Sequence, residues 1–311
     1  MLKRFELHNH TTESDASITC AELVDLMARD RVDAFALTDH NTISGHRIVK
    51  KILEEKKPPV QCVYGMEYTT YYGHILCLNL RRYVPWDSID RNCPEKLFRA
   101  CREAGALAGI AHPFSYGAPF ARGCRFEMTV ADFSQVDFIE VFNNPEPLHE
   151  VNERGLNGWQ ALVLRGEKLA ATSGMDLHGA RDMSMNFATY VEGEPNGDPA
   201  LELERAIRSQ QTWLSKGLAL RWSLDADGGA RFWLEDVRKP GFVPSDSYLL
   251  SLTDANGERT FDITAGERAL SAAELGDAPV IIPKLYGESP QIEDLVCLAP
   301  VIRRCLRSLP I

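Results

Sequence analysis

No run of apolar residues in this sequence approaches the roughly 20 needed to cross a bilayer. Met1 to Leu7 enter a strand pattern at once, without the apolar core of a signal peptide, so a cytoplasmic chain is expected. There is no Gly-x-Ser-x-Gly and no P-loop, which argues against a serine-hydrolase elbow and a Walker-type nucleotide site. None of the eight cysteines forms a Cys-x-x-Cys pair, so neither a zinc ribbon nor a thioredoxin motif is suggested, and all read as reduced structural thiols. Positive charge is short as well. With 34 Lys and Arg against 44 Asp and Glu the net charge is −10, whereas a non-specific nucleic-acid binder is usually basic. A long nucleic acid is therefore not the expected partner. Residues 212–311 hold no histidine, and the sequence shows no internal repeat and no low-complexity tract.

What remains is a globular composition, 44% hydrophobic and 25% charged, sufficient for one large domain or a large and a small one. The alternation at Phe5 and Leu7 runs into His8 and His10, which as residues two apart face the same side of a strand, and Asp15 follows. A helix over 20–30 precedes an apolar run, 33–40, that ends in Asp39 and His40. After a helix over 44–56, a strand near 60–65 delivers Glu67 and another, 74–80, opens with His74. A helix over 94–104 and a strand over 106–111 lead to His112 and Pro113, then to a loop from Phe114 to Glu127 of the length usually reserved for function. A strand over 136–142, a helix over 148–166 and a strand over 168–174 bring in Asp176 and His178, and a strand near 187–192 closes this half.

This rhythm predicts an α/β fold of parallel β/α units, in which strand C-termini converge on one active-site face. His8, His10, His40, Glu67, His112, Asp176 and His178 would then share one rim. Neutral imidazole and carboxylate are ligands for Zn, Mn or Fe. From about 196 the character changes to a helix over 198–210, hairpins near 218–225, 230–237, 247–253 and 258–263, a strand over 280–286 and a final helix over 290–309. The expected division is a catalytic unit over 1–195 and a small antiparallel, β-rich appendage over 196–311.

The blocks His8-Asn9-His10-Thr11, Thr38-Asp39-His40-Asn41, Gly65-Met66-Glu67, His112-Pro113 and Gly174-Met175-Asp176-Leu177-His178-Gly179 resemble, in order and spacing, the PHP (polymerase and histidinol phosphatase) family. Over residues 1–195 the resemblance implies a distorted, seven-stranded TIM-like (β/α) barrel, a trinuclear metal centre and phosphoesterase activity. It implies that His8, His10, Glu67 and Asp176 hold one metal. Glu67, His74 and His112 would hold a second, Glu67 bridging the two, and Asp15, His40 and His178 a third. Asp15 stands where some relatives carry His. Two to three divalent ions of Mn, Zn or Fe are thus expected, with Glu67, Asp176 and His178 as catalytic residues. Metals roughly 3.5–4 Å apart share a hydroxide that attacks phosphorus in line. Arg122 and Arg181, near the ligand blocks, are the candidates for phosphate contact, since guanidinium suits it bidentately.

Two rival readings share the metal site. An amidohydrolase-type enzyme has the same His-x-His opening but uses a carboxylated lysine, and Lys168 opens its strand too early for the rim. A metal-stabilised scaffold would have lost ligands, whereas this chain keeps them. The expected substrate is a small phosphorylated metabolite or nucleotide. Around the site, Asp39 reads as an imidazole-orienting group or a turn former, and Glu140 as an inward acid or an arginine-paired one. His46 and His149 read as surface or cap histidines.

Overall fold

Residues 1–117, 119, 121–143, 151–184, 186–264 and 266–304 are described by a computed structural model. The chain opens with β1 (Leu2–Glu6), α1 (Cys20–Arg29), β2 (Ala34–Leu37), α2 (Gly45–Lys56), β3 (Gln61–Thr70) and β4 (Gly73–Leu78). It continues through α3 (Glu95–Glu103), β5 (Leu107–Ile110), β6 (Phe138–Asn143), α4 (Glu153–Leu164), β7 (Ala170–Gly174) and β8 (Ala188–Glu192). Short apolar runs such as Ala34-Phe35-Ala36-Leu37 form strands buried on both faces, as parallel strands between helices must be. A capping box between Thr19 and Glu22 starts α1, whose Leu23, Val24, Leu26 and Met27 pack with Phe35, Leu37 and Leu177.

The hydrogen-bonded order is β8-β1-β2-β3-β4-β5-β6-β7. It departs from the expected all-parallel pattern at two strands. β4 is antiparallel to both β3 and β5, because β3 and β4 form a tight hairpin around Thr70 to Gly73. β8 is antiparallel to β1. The expected closed barrel is not formed by the backbone: among the described residues no ladder joins β7 to β8. The Thr189 side chain meets the Ser173 backbone instead, Ser173 N donating to Thr189 Oγ1 at 2.9 Å and Thr189 Oγ1 donating to Ser173 O at 3.1 Å. The reason is that both edges of β8 are taken, one by β1 and the other by the following short strand.

That strand, β9 (Trp213–Ser215), comes after α5 (Pro199–Ser209) and carries the sheet into the C-terminal third. There follow β10 (Leu218–Leu224), β11 (Ala230–Asp236), β12 (Ser247–Asp254), β13 (Gly257–Thr264), β14 (Glu267–Leu270), α6 (Ala272–Leu275), β15 (Val280–Tyr286), β16 (Leu295–Leu298) and β17 (Ile302–Arg303). The ladders among them are antiparallel, as the hairpin patterns require. The helix expected over 290–309 is replaced by β16 and β17, which pair with β15. Residues 305–311 of that stretch, with Cys305, lie outside the described residues. Apolar residues of this third, including Leu214, Ile282, Tyr286 and Leu295, share one buried cluster with Phe142, Trp159 and Phe187. The seven cysteines among the described residues form no disulfide with one another.

Candidate metal centre

The ligand-type side chains meet where the strands of the N-terminal half end. Glu67 lies within β3 and is fully buried. Its Oε2 is 3.2 Å from His8 Nε2, 3.4 Å from His10 Nε2 and 2.9 Å from His40 Nδ1. Its Oε1 is 2.9 Å from His74 Nδ1 and 3.0 Å from His112 Nε2. One carboxylate therefore touches five imidazoles. Asp176 Oδ1 lies 2.9 Å from His10 Nε2 and 3.4 Å from His8 Nε2, and Asp15 Oδ1 lies 3.3 Å from His178 Nε2 and 3.6 Å from His40 Nε2. His74 reaches this face because β4 runs antiparallel. Its first turn pairs beside the last residues of β3, with Thr69 opposite His74.

Four sets offer ligand atoms within 4.8 Å of one another: His8-His10-Glu67-Asp176, His10-Asp15-His40-His178, His40-Glu67-His74 and His8-His112-Glu140. The cluster fits divalent cations on its own terms. Glu67 Oε2 and His8 Nε2 are buried and have no hydrogen-bond partner, and unpaired buried polar atoms of this kind are costly unless a cation answers them. Nitrogen and oxygen donors in this mixture suit Mn, Fe and Zn.

The electrostatics describe the cluster without its cations. Burial disfavours the charged form of His8, but Glu140, Glu67 and Asp176 outweigh it and raise the imidazole pKa. His112 likewise overcomes burial through Glu67 and Asp176 and is raised to about 9, and His40 is raised through Glu67. His10 is lowered, burial exceeding the pull of Asp176. Burial also opposes ionisation of Glu67 and Asp176, yet the surrounding imidazoles hold both carboxyl groups below their ordinary range.

Neighbouring polar groups fix the ligands. Glu140 is turned inward: its Oε1 is 2.9 Å from His8 Nδ1, while Oε2 accepts from His112 N at 3.0 Å and Asn143 Nδ2 at 3.1 Å. No arginine pairs with it among the described residues. A break in β6 register between Glu140 and Phe142 lies beside it, a device that re-aims side chains. Asp39 does neither of the things expected of it. Its carboxylate accepts from Thr11 N, Thr11 Oγ1 and Ser14 Oγ, and so pins the loop that carries Asp15. Thr69 Oγ1 is hydrogen-bonded to His40 Nδ1. Thr69 is not among the residues expected at the site, although a residue two after Glu67 on one strand shares its face. Two ligands sit in the left-handed region, His112 at φ 24° and Asp176 at φ 50°, a strain that non-glycine residues bear mainly at functional sites. Gly174 is required by proximity: a Cβ there would lie 2.3 Å from Glu140 Oε1 and 2.4 Å from His8 Cβ.

Glu140→Gln is expected to weaken metal affinity about 10- to 100-fold, since such a partner orients a ligand and raises its basicity. Metal titration of the variant checks this, and an unchanged affinity would mean that Glu140 is only a packing residue.

Of the remaining candidates, Arg122 stacks over Tyr71 with its guanidinium carbon 4.6 Å from the ring centre. Arg181 is exposed and already has a partner. Lys168 is exposed before β7, at the strand end opposite Asp176. His46 is no ligand: it is half-buried, with Nε2 2.8 Å from Gly65 O. His149 lies outside the described residues. No helix among the described residues is long and apolar enough to cross a membrane.

Residues 6–108 match the model of the PHP domain, a stretch that contains His8, His10, Asp15, His40, Glu67 and His74 and stops short of the later ligands. An uncharacterized protein of Methanocaldococcus jannaschii is 33% identical over 126 residues, 40% of this chain and 67% of that protein. A 5′-3′ exoribonuclease of Haemophilus influenzae is 33% identical over 89 residues, 27% of this chain and 32% of that enzyme. Among solved structures, a two-domain protein containing a predicted PHP-like metal-dependent phosphoesterase, from Bacteroides vulgatus, superposes with a TM-score of 0.57 at 14% identity. That match covers 97% of this chain and 95% of the other, and at such identity it speaks for the fold alone.

Proposed function

Since the chain belongs to the PHP domain family, we propose that it is a metal-dependent phosphoesterase acting on a small phosphorylated metabolite or nucleotide. The observation that carries the reading is Glu67, one buried carboxylate placed between five imidazoles. In this assignment His8, His10, Glu67 and Asp176 hold one cation, and Glu67, His74 and His112 a second. Asp15, His40 and His178 hold a third, with His10 alongside. When bound, divalent cations supply Lewis acidity toward water and toward phosphoryl oxygens. The chain supplies the rest. Glu140 keeps the His8 ring in its orientation and holds the His112 backbone N–H, Cys124 O lies 3.0 Å from the His112 Nδ1, and Asp39 fixes the loop that delivers Asp15. Asp176 stays ionised, because His8 and His10 hold it so, and serves as a ligand rather than as an acid. His178 is the most exposed imidazole of the set, its side chain 39% accessible; with Nδ1 2.8 Å from Asp176 O and Nε2 turned to Asp15, it is assigned as a ligand at the open side of the cluster, where solvent reaches the leaving oxygen. Arg122 is assigned to a non-bridging phosphate oxygen, where guanidinium binds in a fork.

The test pairs elemental analysis of the purified chain with hydrolysis of a chromogenic phosphomonoester and phosphodiester under added Mn²⁺. About two to three ions per chain, with metal-dependent phosphate release, is the expected result. Bound metal with no turnover of either ester overturns the reading.

A further inference from the structure

Beside the ligand set lies a cavity of about 590 Å³, within the usual range for small-molecule sites. Its lining includes Thr69, Tyr71, Tyr72, Trp86, Arg91 and Arg122. Thr69 joins it to the metal centre, because the same residue holds the His40 ring. The tip of the β3–β4 hairpin supplies two tyrosines that remain open to water, Tyr71 at 66% and Tyr72 at 42% exposure. Large aromatic faces left in water on one hairpin are unfavourable and mark a contact surface.

Each tyrosine carries a guanidinium: Arg122 lies 4.6 Å from the Tyr71 ring centre and Arg91 lies 5.0 Å from that of Tyr72. In a chain of net charge −10 neither arginine forms an ion pair among the described residues. Among the described residues the Arg91 side chain donates from Nε to Glu127 O at 3.2 Å. Trp86 completes the wall, half-buried and edge-on to Tyr68. Rings and guanidinium planes offer stacking faces to a planar ligand, and the remaining N–H donors suit anionic oxygens.

On the phosphoesterase reading given above, we propose that the substrate is a nucleotide, whose base stacks in this cavity while its ester phosphate lies at the Glu67 cluster. A ribose phosphate without a base would leave the aromatic wall uncovered. Every base has a stacking face, so the cavity recognises the class rather than one base.

The test compares adenosine 5′-monophosphate with ribose 5-phosphate on the Mn²⁺-loaded chain. Where phosphate is released the readout is kcat/KM, and where none is released it is Kd by calorimetry. The wild type is expected to favour the nucleotide about tenfold or more. That ratio should fall about tenfold in Tyr72→Ala and in Arg91→Ala, mainly through KM, and hold in Tyr72→Phe. Turnover of both ligands with equal kcat/KM overturns the nucleotide proposal and leaves the phosphoesterase reading intact. No turnover, with nucleotide binding that Tyr72→Ala weakens tenfold, overturns the phosphoesterase reading and leaves the nucleotide site standing. Equal weak binding of both ligands without turnover overturns the two together.

Discussion

Glu67→Gln is expected to lose bound metal and turnover together, with activity falling about a thousandfold or more. The amide keeps the shape of the side chain and its place in β3, so the packing of Met66 and Tyr68 on either side is preserved. What changes is the charge and one oxygen. Oε2 now faces His8, His10 and His40, and Oε1 faces His74 and His112. An amide nitrogen in either position is a donor that cannot ligate, and the remaining oxygen serves only one side of the cluster. The variant should therefore lose ions from both sides of Glu67, whereas Glu140→Gln loosens the ligands and leaves them in place. Elemental analysis and rate measurement on one preparation decide it. Normal metal content with a normal rate would remove Glu67 from the bridging role.

The ligands were legible in the sequence because they are polar residues interrupting apolar strands. His8, His10, His40, Glu67, His112, Asp176 and His178 each follow or interrupt a buried run, and parallel β/α topology gathers such positions at one face. His74 was anomalous on that logic, since it opens a strand. The antiparallel hairpin resolves the anomaly by placing the start of β4 beside the end of β3. What stayed hidden depends on non-local geometry. The left-handed backbone at His112 and Asp176 and the register break that aims Glu140 leave no local pattern. Neither do the contacts that bring Thr11 and Ser14 onto Asp39, across about 25 residues of chain. That no ladder joins β7 to β8 among the described residues follows from β9 claiming an edge that repeating β/α units would have left free. The final helix was avoidable. Ile292, Leu295, Val296 and Ala299 have helical spacing, but Pro300 would sit inside that helix, where it removes a hydrogen bond.

Stripped of metal, the chain should lose stability as pH rises from about 6.5 to 9, and the metal-loaded chain should not. The sign follows from the imidazoles. His8, His40 and His112 have folded-state pKa values raised above the ordinary value of 6.5, His112 to about 9. A raised group contributes stability that is fully present below its unfolded pKa and is lost as pH climbs through the folded one. For His112 alone the span corresponds to about 3 kcal/mol. His10, whose pKa is lowered, works the other way and reduces the total. The acid side is bounded by Glu67 and Asp176. Their lowered values contribute stability above the unfolded carboxylate range, and it is lost as pH falls below it. The metal-free chain should thus be most stable between about pH 4.5 and 6.5. Metal reverses the slope, because ligands bind it deprotonated and affinity rises as protons leave. Thermal melts of chelated and Mn²⁺-loaded protein between pH 5 and 9 check both limbs. Parallel pH profiles in the two preparations would mean that these imidazoles do not bind the ion.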